Sequence, residues 1–121
     1  MSAKSQRRLA AAIDLGAGAI RMDLAELDDS GGVRVLDSLV RPAALGRDVF
    51  LDREIGPGTT EACAGILRDF RQAADDYAAA APLVIRAVAT SAVREAENRE
   101  AFRDRLFIAT GIPVEPIEES E

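Results

Sequence analysis

The chain has 121 residues, of which 48% are hydrophobic and 30% charged, a composition that fits one globular domain with a buried core. It has no histidine and one cysteine, Cys63, which excludes disulfides, zinc sites built on thiolate or imidazole, and catalysis by a histidine base. A net charge of -6 and a content of four phenylalanines, one tyrosine and no tryptophan argue against a general nucleic-acid surface.

The N-terminal segment predicts a tail followed by a strand. Residues 1–8 lack apolar periodicity, and we expect them to form a disordered basic tail. An apolar run begins at Leu9 and ends at Asp14, which makes it too short for the apolar segment of a signal peptide. The sequence therefore predicts a cytoplasmic protein whose first ordered element is a strand.

Two more strands are predicted directly after the first. Residues 20–27 and 33–41 carry extended apolar patterns, and small residues precede the first of these segments. Between them Gly31 and Gly32 supply the positive φ that a hairpin turn needs. The first third of the chain thus predicts three sequential antiparallel strands.

A loop and a long helix follow. Residues 42–58 contain two prolines and three glycines, and this composition predicts a loop. Thr59 is the predicted helix cap, and apolar residues from Cys63 to Ala81 recur at spacings of three and four. Pro82 is expected to end this helix.

The remaining segments alternate strand and helix. Residues 83–89 predict a strand covered on both faces, and the longest apolar run, 77–85, has nine residues against the roughly 20 that a membrane span needs. A second helix is predicted with Asn98 as its cap and Gly111 just past its end, and a last strand begins at Pro113. The order βββαβαβ indicates an α/β fold with a mixed sheet. The shortness of the longest apolar run predicts no contact with a membrane.

A strand ending in an acid and a turn of small residues form the first candidate site. Asp14 closes the first strand, Gly16, Ala17 and Gly18 form the turn, and Arg21 follows in the second strand. Small residues let backbone N–H groups approach a phosphate, and an aspartate at a strand end can hold a cation or its water. A plain glycine hairpin with a solvated aspartate is the alternative interpretation, and a glycine turn alone does not decide between them.

The second candidate lies between the fourth strand and the next helix. Thr90, Ser91 and Arg94 place two hydroxyls and a guanidinium where they can converge on an anion. The alternative is a hydroxyl-stabilised turn with Arg94 paired to Glu95 or Glu97.

Carboxylates near the chain end form the third candidate. Glu118, Glu119 and Glu121 follow the last strand, and Glu115 lies upstream of them. A carboxylate after a strand can orient water for attack on phosphorus, and its neighbours would raise its pKa. A solvated charged tail is the alternative.

Four segments together resemble the start of the exopolyphosphatase/guanosine pentaphosphate phosphatase (Ppx/GppA) family. They are Ala-Ala-Ile-Asp-Leu-Gly at 11–16, Leu-Gly at 45–46, Ala-Thr-Ser-Ala-Val-Arg-Glu-Ala at 89–96, and Gly-Ile-Pro-Val at 111–114. The 89–96 block is the most specific of the four.

The resemblance implies an actin-like ATPase superfamily domain of ribonuclease-H type over residues 9–121. We expect a five-stranded mixed sheet in the order 3-2-1-4-5 with flanking helices. It also implies a hydrolase that uses Mg²⁺ to release phosphate from polyphosphate or guanosine pentaphosphate. The family's second phosphate loop and second domain lie beyond these residues, so we expect an inactive N-terminal fragment with one sheet face exposed. The expected partners are the remaining domains of a parent chain, with homodimerisation as a further option.

The resemblance also implies roles for individual residues. Asp14 matches the family's first acidic position and would assist Mg²⁺ or water, while Arg21 and Arg94 would grip phosphate. Glu121 matches the catalytic glutamate or the residue directly before it. The family's Ser-Asn-Ser turn is replaced by residues 17–19, Ala-Gly-Ala, which predicts a weakened or altered phosphatase.

Two other functions remain open from the sequence. The same arginines would serve a non-catalytic sensor domain that binds polyphosphate or guanosine polyphosphates. A sugar kinase or cell-division protein of the same superfamily would share Asp14, Leu15 and Gly16 but would not need the 89–96 block.

Overall fold

A computed structural model describes residues 7–117, so the predicted catalytic Glu121 and its neighbours Glu118 and Glu119 lie outside the described residues. The elements of the described part are β1 (Arg8–Leu15), β2 (Ala19–Leu27), β3 (Val33–Pro42), α1 (Leu45–Asp52), α2 (Pro57–Ala78), β4 (Leu83–Ala89), α3 (Ser91–Glu95), α4 (Arg99–Thr110) and β5 (Val114–Pro116).

The strands form one sheet in the order β3-β2-β1-β4-β5. Strands β1, β2 and β3 pair antiparallel, and β4 and β5 run parallel to β1. The predicted strand order and mixed pairing are confirmed. The two parallel strands are reached through helical connections, as such pairing requires.

One face of the sheet packs against the long helices. In β1 every second residue is buried, and in β2 Ile20, Met22 and Leu24 continue the same layer. Phe70 of α2 and Phe102 and Leu106 of α4 close the core from the other side, each at most 2% exposed. The strand period of two and the helix period of 3.6 thus bring the apolar faces together.

The opposite sheet face is exposed within residues 7–117. Val84 of β4 is 57% exposed, and Arg86 beside it is also exposed. The prediction that β4 is covered on both faces is therefore wrong, because the described helices lie over the face that Ala87 and Ala89 share. The expectation of an exposed sheet face is confirmed for the described residues.

Two helix boundaries differ from the prediction. Helix α1 lies inside the segment predicted as a loop, because Leu45 and Val49 are one turn apart and both face the core. Helix α2 begins at Pro57 with Gly56 at its N-cap, so Thr59 is not the cap. Proline fits the first helical turn because that turn leaves N–H groups without intrahelical partners.

The first strand begins one residue earlier than predicted. Arg8 pairs with Leu27, and the side chain of Arg7 donates to the Glu26 carboxylate and to the carbonyl of Tyr77. The hydrogen bond from Arg7 lowers the pKa of Glu26, and a second one from Arg34 adds to the shift. Residues 1–6 of the predicted tail lie outside the described part.

The turn between β2 and β3 is stabilised by a side chain. The Asp28 carboxylate accepts hydrogen bonds from the Ser30 hydroxyl at 2.7 Å and from the N–H groups of Gly32 and Ser30 at 2.7 and 2.9 Å, and these bonds lower its pKa. Gly31 has a φ of 88°, whereas Gly32 has no positive φ. One glycine therefore supplies the turn conformation that two were predicted to share.

Between residues 7 and 117, no helix is long and apolar enough to cross a membrane.

Candidate functional site

The turn between β1 and β2 lies against the start of helix α1. The Gly46 N–H donates to the Ala17 carbonyl at 2.8 Å, and the Ala43 N–H donates to the Gly18 carbonyl at 3.1 Å. Within residues 7–117 the N–H groups of Ala17 and Gly18 donate to no protein acceptor. These two donors are therefore free to bind an anion.

Gly46 must remain small for this contact to form. A Cβ built on Gly46 would lie 2.8 Å from the Ala17 Cβ and 3.2 Å from the Ala17 carbonyl oxygen. Close approach of the two backbones explains why Leu-Gly occurs in a segment whose composition suggested a flexible loop.

We expect Gly46→Ala to lower the free energy of unfolding by about 1–3 kcal/mol, because the new methyl group displaces the turn. Gly65→Ala is the matched control: in the middle of α2 its Cβ would meet nothing closer than 3.9 Å. That control should raise stability by up to about 1 kcal/mol, since alanine favours helix. Urea unfolding of both variants tests this, and stabilisation by Gly46→Ala would contradict the close contact.

Asp14 and Arg21 are brought side by side on the exposed face of the sheet. They are register partners of β1 and β2, and both are exposed. Glu115 lies in the same row across β4, about 10 Å from Asp14 by strand spacing. The structure thus gathers Asp14, Arg21 and Glu115 at one end of one face.

Thr90 and Ser91 lie beside the β1–β2 turn. The Thr90 N–H points to the Leu15 carbonyl at 3.4 Å, and Ser91 begins α3 and faces the same groove as Ala17. The parallel pairing of β1 and β4 causes this proximity, because their carboxyl ends meet at one edge of the sheet.

Arg94 points to the end of the last strand. Its guanidinium donates to the Ile117 carbonyl at 2.8 Å, and it forms no ion pair with Glu95 or Glu97 within the described residues. The Ile117 N–H in turn donates to the Ala89 carbonyl at 2.9 Å. Arg94 therefore anchors the end of β5 and retains further N–H donors for an anion.

A groove of about 560 Å³ lies between the β1–β2 turn, helix α1 and helix α3. Ala17, Gly46 and Ser91 line one part, and Phe50 and Arg53 of the α1 end line another. The Phe50 ring is 85% exposed, and Arg53 has a φ of 60° at the helix C-cap. Phe50 and Arg53 were not predicted as groove residues, because the composition of residues 42–58 indicates a loop rather than a helix.

Asn98 fixes the segment that follows α1. Its side-chain amide accepts from the Ile55 N–H at 2.9 Å and donates to the Ile55 carbonyl at 2.8 Å. The Glu97 N–H also donates to the Arg53 carbonyl at 2.8 Å. Asn98 is the N-cap residue of α4, as predicted, but its side chain makes no capping hydrogen bond there.

Asp14 is the carboxylate available for the Mg²⁺ that the family resemblance implies. Within residues 7–117 no three acidic or cysteine side chains group as metal ligands. Mg²⁺ is commonly held by one or two carboxylates together with water and substrate phosphates. The described residues fit that type of site, with Asp14 as the protein ligand.

Cys63 does not contribute to the candidate site. It is fully buried in the core, and burial raises the pKa of its thiol to about 12. A thiol in this state is neutral and inert at physiological pH.

Solved structures with a similar fold have sequences related to that of this chain. The chain matches the Ppx/GppA family member of Aquifex aeolicus over 93% of its length, with a TM-score of 0.83 and 26% identity, and covers 35% of that chain. It matches an exopolyphosphatase-like protein over 95% of its length, with a TM-score of 0.75 and 32% identity, and covers 33% of that chain. The chain belongs to the Ppx/GppA family.

A further family structure supports the same fold. The exopolyphosphatase of Cytophaga hutchinsonii matches 91% of this Ppx/GppA chain at a TM-score of 0.81 and 23% identity, with 34% of that protein covered. The predicted actin-like fold of ribonuclease-H type is confirmed. No protein-family model matches the sequence. The Ppx/GppA chain described here spans about a third of the length of these structures.

Proposed function

We propose that this Ppx/GppA domain binds the phosphate chain of polyphosphate or guanosine pentaphosphate and forms one side of a phosphohydrolase site. The observation that carries the proposal is the pair of free N–H donors on Ala17 and Gly18 in the turn between β1 and β2, where Ala17 lines a groove beside Ser91. Backbone donors in a turn of small residues are a recurrent way to bind phosphate. The exopolyphosphatase names of the structural relatives support this substrate class.

The neighbouring side chains supply charge in this proposal. Arg21 pairs with Asp14 across β1 and β2, and Arg94 lies in α3, which follows Thr90. In this proposal both guanidinium groups contact the phosphate chain. Bound Mg²⁺ would neutralise phosphate charge, and Asp14 would hold it or its water. Glu121, outside the described residues, is the proposed base that orients the attacking water.

A non-catalytic phosphate sensor is the second candidate. The turn favours it because Ala17 and Ala19 offer no side-chain donors, whereas transition-state stabilisation in phosphoryl transfer depends on closely placed donors. Both functions use the same binding residues, so binding is tested first and turnover separately.

We expect Arg21→Ala and Arg94→Ala each to weaken binding of tripolyphosphate in the presence of Mg²⁺ by about 1.5–3 kcal/mol, the worth of a charged hydrogen bond. Arg34→Ala removes the same charge at the far end of the sheet, where Arg34 pairs with Glu26, and should have little effect. Calorimetric titration of the three variants provides the measurement. Equal affinities in all three would mean that these arginines do not form a phosphate site.

Restoring side-chain donors to the turn should raise affinity. The combined variant Ala17→Ser, Gly18→Asn and Ala19→Ser is sterically feasible at Gly18, where a Cβ meets nothing within 4 Å and φ is not positive. An unchanged affinity in the same titration would favour the plain hairpin interpretation of this turn.

A further inference from the structure

Arg53 ends helix α1 in a left-handed backbone conformation, with a φ of 60°. In the part of the chain that the structure describes, Ala79 is the only other residue apart from glycine with a positive φ. Glycine adopts this conformation without the steric penalty that a side chain brings, and it is the usual residue at such helix ends. Side chains held in this conformation cluster at functional sites, so the arginine at this position points to a role outside folding.

The backbone around Arg53 is held by hydrogen bonds that do not involve its side chain. The Arg53 N–H donates to the Val49 carbonyl at 2.9 Å, and the Arg53 carbonyl accepts from the Glu97 N–H at 2.8 Å. Any residue at position 53 can make these two bonds. The guanidinium group is therefore not what fixes the end of α1.

The Arg53 side chain lines the same groove as the β1–β2 turn and Ser91. Glu95 is the other charged residue of this groove. Within residues 7–117 the Arg53 side chain donates no hydrogen bond and forms no ion pair, with Glu95 or with another carboxylate. Its planar fork of N–H donors matches the geometry of phosphate oxygens.

Helix α1 separates Arg53 from the candidate phosphate-binding turn. At the start of the helix the Gly46 N–H donates to the Ala17 carbonyl at 2.8 Å, whereas Arg53 directly follows the last helical residue. At a rise of about 1.5 Å per residue, Arg53 lies about 10 Å from Gly46 along the helix axis. This separation suits a ligand with several linked phosphates better than a single phosphate ion.

We infer that Arg53 binds a linear polyphosphate at phosphates beyond those held by the β1–β2 turn, and so makes the groove select for longer phosphate chains. The inference rests on the proposed function, because that function assigns the turn to phosphate. It names linear polyphosphate as the ligand that uses the whole groove. Arg53 also supplies side-chain donors to a groove in which Ala17 offers only its backbone.

Replacing Arg53 with glycine separates binding from folding. In calorimetric titrations with Mg²⁺, Arg53→Gly should weaken binding of a linear polyphosphate by about tenfold or more, the effect of losing a charged hydrogen bond. Binding of pyrophosphate, which is too short to reach Arg53 from the turn, should change by less than about twofold. The midpoint of urea unfolding should stay the same or rise, since glycine favours a positive φ.

Two control variants isolate the position and the charge of Arg53. Ala79→Gly replaces the other residue with a positive φ, at the end of α2, and should leave both affinities unchanged. Arg34→Ala removes one positive charge at the far end of the sheet, where Arg34 pairs with Glu26, and should have little effect on either ligand. A loss in Arg34→Ala as large as in Arg53→Gly would mean that net charge alone attracts the ligand, and would overturn the inference.

Glu95 provides a test with the opposite sign. Its carboxylate lines the same groove and repels a phosphate chain there, so Glu95→Gln should tighten polyphosphate binding. This titration is run without Mg²⁺, because a bridging cation would mask the repulsion. An affinity that stays the same or falls would contradict a phosphate chain in the groove.

The outcomes also separate this inference from the proposed function. An unmodified chain that binds neither pyrophosphate nor polyphosphate would refute the proposed phosphate site, and this inference with it. Normal binding of both ligands by the unmodified chain, with no loss of polyphosphate affinity in Arg53→Gly, would overturn the role of Arg53 alone. Equal losses for pyrophosphate and polyphosphate would place Arg53 at the turn itself and would exclude selection for chain length.

Discussion

Asn98→Ala is expected to lower the free energy of unfolding by about 2–4 kcal/mol, because it leaves two backbone groups of Ile55 without partners. Both hydrogen bonds are short and partly buried, at 2.8 and 2.9 Å, and they join positions 43 residues apart in the chain. Ile55 is itself 2% exposed, so water cannot easily replace the lost amide. Chemical unfolding of the purified variant measures the loss.

Two further variants separate the amide bonds from general effects of substitution. Asn98→Asp keeps the acceptor for the Ile55 N–H but replaces the donor with a carboxylate oxygen that faces the Ile55 carbonyl oxygen, so it should also destabilise the fold although the side chain keeps its size. Gln72→Ala removes an exposed side-chain hydrogen bond to Asp76 and should change stability by no more than about 0.5 kcal/mol. If Asn98→Ala costs no more than Gln72→Ala, the amide does not hold the loop.

The hydrogen bonds of Asn98 also help to position the candidate site. The segment 53–55 is held to residues 97 and 98 by three hydrogen bonds, and helix α1 precedes it directly. Helix α1 contributes Gly46 to the turn contact, so its position determines the shape of the groove. Loss of the Asn98 amide is therefore expected to weaken phosphate binding as well as folding.

The sequence predicted the sheet well because its strands have strong local patterns. Every second residue of β1 is buried, Pro82 precedes β4, and Gly111 has the positive φ expected just past the end of α4. Alternating burial leaves a periodic pattern in the sequence, and special backbone conformations are marked by single residues such as glycine and proline. Both signals are local, so these elements can be predicted. The strand order followed from the family resemblance and from the rule that parallel strands need long connections.

The site was harder to predict because its contacts join distant segments. Asn98 has the sequence signature of a helix cap, yet its amide reaches Ile55, and no local pattern encodes that partner. Arg53 occupies a left-handed position where glycine is the usual signal, so the end of α1 carries no mark in the sequence. The turn at Ala17 and Gly18 was correctly located, because small residues after a buried strand are a local feature.

The 121-residue chain alone is expected to release no measurable phosphate from polyphosphate or guanosine pentaphosphate. The candidate phosphate-binding groups of the described part all lie at one edge of one sheet, so they would contact a bound phosphate from one side only. The groove beside them is open to solvent. Phosphoryl transfer requires donors and metal ions around the transferred group, in a site that excludes water. Loss of such positioning removes most of the rate enhancement, which reaches several powers of ten in enzymes.

A phosphate-release assay with Mg²⁺, run beside the binding titration, tests whether the chain has catalytic activity or only binds phosphate. Binding without turnover fits a domain that supplies one side of the site, and it equally fits the sensor function. Steady release that Glu121→Gln abolishes would instead show that the chain contains a complete catalytic site, and the one-sided geometry would then be wrong. Release that survives both Glu121→Gln and Arg21→Ala would point to a contaminating phosphatase, because neither the proposed base nor the proposed phosphate-binding arginine would then contribute. The added substitutions Ala17→Ser, Gly18→Asn and Ala19→Ser separate two causes of inactivity. If the missing side-chain donors alone limit the chemistry, the restored turn gives turnover, whereas a one-sided site gains affinity and still releases no phosphate.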